Sequence, residues 1–171
     1  GAGNLAWSSA GLSLLSPTSC DTTHPAAATR KVVRQYDARN RITALRFPDG
    51  RGDTTHAYTP QGFLHTLTAQ NGNGETVTTS YAYNARGLPT SERLQAPALD
   101  WQLGSGYDAN GHLAYHTYPG GLRVDYTPNA LGQATQADIA NNNPFAWGAT
   151  YHPNGAVKRF GTVTAVAGID V

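Results

Sequence analysis

The heptapeptide Tyr36-Asp37-Ala38-Arg39-Asn40-Arg41-Ile42 sets an aromatic residue, a short acid, a small residue and an asparagine ahead of a β-branched residue. Its physical reading is a strand end, a tight turn and a strand start. Asp opens a turn by hydrogen-bonding its own backbone two residues on. Ala suits the second position of a type I turn, and Asn is the non-glycine residue that best accepts a positive φ. A type I turn closed by a left-handed residue is the three-residue hairpin connection with its built-in bulge.

The pattern recurs along the chain. Tyr58-Thr59-Pro60-Gln61-Gly62, Tyr83-Asn84-Ala85-Arg86-Gly87, Tyr107-Asp108-Ala109-Asn110-Gly111 and Tyr151-His152-Pro153-Asn154-Gly155 repeat it, and Trp7-Ser8-Ser9-Ala10-Gly11 and Pro128-Asn129-Ala130-Leu131-Gly132 read as degenerate copies. In the last of these, Tyr126, one strand period before Pro128, stands in as the aromatic head. The heads are thus Trp7, Tyr36, Tyr58, Tyr83, Tyr107, Tyr126 and Tyr151, and the left-handed positions Gly11, Asn40, Gly62, Gly87, Gly111, Gly132 and Gly155. His152 is the one misfit, where the other copies carry Asp, Asn, Ser or Thr.

After each turn, apolar residues tend to recur at strand spacing, as in Ile42, Leu45 and Phe47, or Leu64 and Leu67. A second turn signal follows several heads: Phe47-Pro48-Asp49-Gly50, Asn71-Gly72, Tyr118-Pro119-Gly120-Gly121 and Asn142. Runs rich in Thr, Tyr and Val (51–57, 75–82, 122–127) then lead to the next head. No segment sustains a helical period, so the expected fold is all-β, a continuous curved sheet of consecutive antiparallel hairpins. Its expected organisation is one domain over 1–171, with repeats over 7–160 and a terminal strand or tail over 161–171.

Composition narrows the function. Charged residues make up 13% and the net charge is +1, which supplies no basic patch for nucleic acid or an anionic membrane. No apolar run approaches the ~20 residues of a membrane-spanning helix, and 5–15, broken by Ser and Gly, does not read as a signal peptide. A lone Cys20 in a Ser/Thr-rich stretch offers no internal disulfide and no activating neighbour at motif spacing. The absence of Met and the opening Gly1-Ala2-Gly3 lead to the expectation of a piece of a larger polypeptide.

No catalytic, cofactor or metal constellation emerges. His112 and His116 share a strand face, but no third ligand fits their spacing. Gly104-Ser105-Gly106 lacks the nucleophile-elbow pattern, and Gly72-Asn73-Gly74 lacks the strand–helix context of a phosphate loop. Asp37, Asp49 and Asp108 are accounted for as turn residues. Arg51-Gly52-Asp53 spells the integrin tripeptide, a match that arises easily in a chain of this composition. Regularly spaced tyrosines favour a structural ladder over a sugar platform. Trp101 and Trp147, off the heads, are the candidates for stacking on a carbohydrate.

Tyr-Asp-x-x-Gly/Asn-Arg-Ile/Leu, seen over Tyr36-Asp37-Ala38-Arg39-Asn40-Arg41-Ile42 and echoed from Tyr107 to Leu113, resembles the YD repeat of bacterial Rhs proteins. The same repeat occurs in wall-associated toxins, the Tc-toxin C component and animal teneurins. The resemblance covers roughly residues 7–160. It implies a β-shell segment without enzymatic activity in a secreted or cell-surface bacterial protein, one that encloses and delivers a C-terminal toxin. It implies as partners the rest of the parent polypeptide or its toxin cargo. An extracellular adhesion or carbohydrate-binding module is the alternative. The uncharged, β-forming run 161–167 leads to a further expectation, pairing of open sheet edges between copies of the chain.

Overall fold

The computed structural model describes residues 3–9, 31–139, 143–162 and 169–170. Among them the chain forms β1 (Trp7–Ser9), β2 (Lys31–Tyr36), β3 (Ile42–Arg46), β4 (Thr54–Tyr58), β5 (Leu64–Gln70), β6 (Thr76–Tyr83) and β7 (Pro89–Ala96). It continues through β8 (Leu99–Tyr107), β9 (Leu113–Thr117), β10 (Arg123–Pro128), β11 (Ala134–Ile139), β12 (Asn143–Tyr151), β13 (Val157–Thr162) and β14 (Ile169–Asp170). Strand order is chain order with no crossover, and the pairing is antiparallel. A single 3₁₀ turn, Pro119–Gly121, interrupts the β pattern among the described residues.

Two compact units divide the chain, Gly1–Tyr81 with Arg93–Asp100, and Ala82–Glu92 with Trp101–Val171. In the first, β1 to β5 form successive ladders. Trp7 lies opposite Val33, Gln35 opposite Ala44, Ala44 opposite Thr55 and Thr55 opposite Thr68. In the second, Gly106 lies opposite Tyr115, Tyr115 opposite Asp125 and Asp125 opposite Asp138. Burial is slight. Among the described residues the buried hydrophobics are Ala44 and Val124, whereas Leu131 is 81% exposed. Cross-strand pairs and the backbone ladder, rather than a closed core, therefore hold these strands.

Six pentapeptides form one turn. In each, the second residue donates its N–H to the carbonyl four residues on, and the fifth donates back to the second, as in Asn84 N to Leu88 O (3.0 Å) and Gly87 N to Asn84 O (2.9 Å). The register slips just before the turn, between Gln35 and Tyr36, Ala57 and Tyr58, Gly106 and Tyr107, Tyr126 and Pro128, and Thr150 and Tyr151. That slip is the bulge a left-handed fifth residue imposes. Asn40 has φ 61, Gly62 103, Gly87 79, Gly111 92, Gly132 79 and Gly155 86.

The copy at position 7 departs from the reading above. Ser8 and Ser9 lie in β1 opposite Val32 and Lys31, and Trp7 begins that strand instead of ending one. Gly3, with φ 74, stands in the turn-glycine relation to the neighbouring repeat instead. Gly11 and Cys20 lie outside the described residues, as do Asn142 and most of 161–167. Gly161 and Thr162 complete β13, and Ile169 pairs with Phe160.

Other boundaries move as well. Arg51 and Gly52 belong to the turn, because Gly50 and Asp53 close it with N–H bonds to Phe47 O and Gly50 O. The long strands β7 and β8 meet at Pro97-Ala98, a turn signalled only by its proline.

Candidate functional site

The head tyrosines do one job repeatedly. Tyr36 donates its hydroxyl to Leu5 O (3.0 Å), Tyr58 to Ile42 O (2.7 Å), Tyr107 to Pro89 O (2.7 Å) and Tyr151 to Ala134 O (2.5 Å). Each acceptor is the second residue after the preceding left-handed position: Gly3, Asn40, Gly87 and Gly132. In four repeats a strand-end phenol thus latches to a carbonyl two residues past the previous left-handed position, at or just before the start of the next strand. Tyr83 occupies the equivalent place at the end of β6.

A second inter-repeat contact lies beside the latch. In five places the residue just after one turn reaches the fifth position of the next. Asn4 Nδ2 donates to Asn40 Oδ1 (3.0 Å), and Arg41, Leu88, His112 and Gln133 stand against Gly62, Gly111, Gly132 and Gly155 respectively. Arg41 is also paired with Asp37 at 2.7 Å and lies 4.2 Å from the centre of the Tyr58 ring.

Inside the turns, the second residue caps two N–H groups. Asp37, Asn84, Asp108 and Asn129 each accept from the residues two and four positions on, and Asn71 does the same in the turn 71–74. In the last turn His152 stands at that position. Asn154 Oδ1 accepts from Ala156 N (3.1 Å) and takes over part of the cap. The Arg41 N–H holds the Asp37 carboxyl below the usual carboxylate range against an opposing desolvation, with the Arg41 guanidinium adding to it. At Asp108 desolvation pushes upward, but the N–H groups of His112 and Asn110 outweigh it and leave the carboxyl low.

A depressed carboxyl contributes stability that is present above its unfolded value and lost as pH falls through the folded one. Unfolding midpoints are therefore expected to drop as pH falls below about 4. The double substitution Asp37→Asn, Asp108→Asn is expected to flatten that drop while keeping the turns, since Asn84 and Asn129 make the same caps. Urea titrations at pH 3, 4 and 7 check it, and an undiminished acid slope in the double variant would contradict it.

The sixth repeat breaks the latch. Pro128 has no hydroxyl, and Tyr126, read from the sequence as this copy's aromatic head, makes a different contact. Opposite Ala137, its ring stands edge-on to His116 at 5.7 Å and its hydroxyl lies 3.5 Å from His116 Nδ1. From two residues inside the strand it meets a ring on the adjacent strand rather than a carbonyl at the turn. Burial, then the Tyr118 hydroxyl, push the Tyr126 phenol up to about 12. His112, beside Gly132, lies 3.3 Å from Asp108 through Nδ1, off hydrogen-bond alignment. The two histidines thus take different partners. Among the described residues no group of three or more His, Cys, Asp or Glu is placed to hold a metal.

Asp53 of the Arg-Gly-Asp tripeptide is spent on its own turn, accepting from Phe47 N at 2.7 Å and facing Arg46 at 3.6 Å. Trp101 and Trp147 are 42% and 41% exposed. The Trp147 indole lies over Gly161, where a Cβ would come within 3.0 Å of Cε2 and Nε1. Sequence reading missed this glycine seat and its counterpart, Gly106 under the Tyr115 ring, which Arg123 covers at 3.7 Å. The signal was present as a strand glycine opposite an aromatic residue. A polar hollow of about 490 Å³ beside Asn84, Ser105, Tyr107 and Asp108 carries groups already committed: Asn84 and Asp108 cap turns and Tyr107 latches Pro89.

No protein-family model and no curated protein matches the chain. Solved structures do match. The chain is 13% identical to TcdB2-TccC3 without its hypervariable C-terminal region, with a TM-score of 0.47, over 77% of this chain and 9% of that one. TcdB2-TccC3-TEV matches at 13% identity and a TM-score of 0.45 over the same shares. TcdB2-TccC3-Cdc42 matches at 12% and 0.40, over 77% of this chain and 7% of that one. The chain spans less than a tenth of the length of these structures.

Proposed function

We propose that the chain is a non-enzymatic structural repeat segment of an Rhs-like bacterial protein, secreted or at the cell surface, whose β-shell encloses and delivers a C-terminal toxin. The observation that carries this reading is the latch. A phenol at the end of one repeat donates to a fixed carbonyl of the one before, and neighbouring turns interlock through the residue that follows each glycine. Such contacts propagate by nearest neighbours, which is how a wall is extended. Polar groups that would serve chemistry elsewhere are here consumed by turns, as at Asp37, Asp53 and Asp108.

The test uses the polypeptide encoded beside these repeats in their gene, expressed together with them. Protease should spare that polypeptide while the repeats are intact and digest it once Tyr58, Tyr107 and Tyr151 are changed to Phe. Digestion at equal rates with and without the repeats would refute the enclosing role.

A further inference from the structure

The sixth repeat has a vacancy in the repeat lattice. Five residues past the left-handed position the repeats carry Leu45, Leu67, Glu92, His116, Ala137 and Phe160. Ala137 is the smallest of the set. In the ladder it lies between Tyr126 on one side and Ala146 on the other, so two adjacent strands present methyl groups side by side. An open cavity of about 380 Å³ results. Its floor is Ala134, Ala137 and Ala146, Tyr126, Val157 and Phe160 stand around it, and Thr135 and Gln136 also line it. Among the described residues, no charged one lines it.

We propose that this vacancy is a binding site for a small uncharged aromatic molecule of benzene-to-indole size. A hollow left where a large side chain gives way to alanine keeps its apolar walls and admits a ring of matching volume. The alanine floor is flat on the scale of such a ring, and the Tyr126 and Phe160 rings offer edge and face contacts worth more than their area alone. With no charge among the described lining residues, a charged ligand would lose its hydration without compensation. The site depends on the residues of β10 to β13 and on no assumption about a shell or a cargo.

Indole titrated into the isotope-labelled chain should shift the amides and methyl groups of Ala137 and Ala146 saturably, with a dissociation constant on the order of 1 mM or tighter. Ala137→Leu restores the side chain carried by two other repeats and should weaken binding at least tenfold without lowering the unfolding midpoint. Ala146→Leu, filling the floor from the next strand, serves if the first variant fails to fold. Equal binding by the filled variants, or shifts spread over the sheet without saturation, would overturn the site. Binding of N-acetyl-tryptophanamide but not of free indole would overturn it too, by identifying a peptide-docking surface.

Discussion

A chain with phenylalanine at 36, 58, 107 and 151 is expected to lose about 2–6 kcal/mol of stability, at roughly 0.5–1.5 kcal/mol for each hydroxyl removed. Each substitution keeps the ring and deletes only the donor to Leu5, Ile42, Pro89 or Ala134. Those carbonyls stand at or just before strand starts, where water can partly replace the phenol, which favours the lower half of the range. The four latches share no side chain, so their costs should add within a few tenths of a kcal/mol. In a domain of this size 1 kcal/mol moves the thermal midpoint by about 2–4 °C. The single Tyr126→Phe is the control. Its hydroxyl faces His116 at 3.5 Å, and its loss should cost less than any latch. A quadruple variant melting within 2 °C of the parent would mean that the phenols are ornaments on a sheet held by its backbone alone.

Much of the fold was legible because hairpin turns are local. Asp37, Asn84 and Asp108 announce their turns through side chains that bond their own backbone, and the residue at the fifth position completes the signal within the same five letters. The latch was not legible in that way. It joins Tyr58 to Ile42 and Tyr107 to Pro89 across a whole repeat, and its acceptor is a carbonyl, which every residue carries. The error at Trp7 has the same origin. An aromatic residue and a later glycine match the local pattern, but Gly3-Asn4-Leu5 stand to Tyr36 as Gly87-Leu88-Pro89 stand to Tyr107. Trp101 and Trp147 were marked for their indoles. The glycine beneath Trp147 became apparent only once Gly161 was placed opposite it.

Gly132→Val should be the most damaging single turn substitution. The backbone there has φ 79, a region that a β-branched residue enters only with strain, on the order of 1–3 kcal/mol. Space is lacking as well. A Cβ on Gly132 would stand 2.8 Å from His112 Cδ2, closer than packed carbons tolerate, and His112 is flanked by Asp108. At Gly155 the backbone demand is the same, with φ 86, but the nearest neighbour, Gln133 Nε2, is 4.0 Å from the Cβ position. Comparing the two valine variants therefore separates backbone strain from crowding. Both should be destabilised by the strain, and Gly132→Val should lose about 1–3 kcal/mol more through displacement of His112. Combining Gly132→Val with His112→Ala should recover the crowding part alone and bring the loss near that of Gly155→Val. Urea denaturation of the three variants reads the difference. Equal losses at Gly132 and Gly155, or no recovery with His112→Ala, would show that the histidine yields freely and that the turn backbone carries the whole cost.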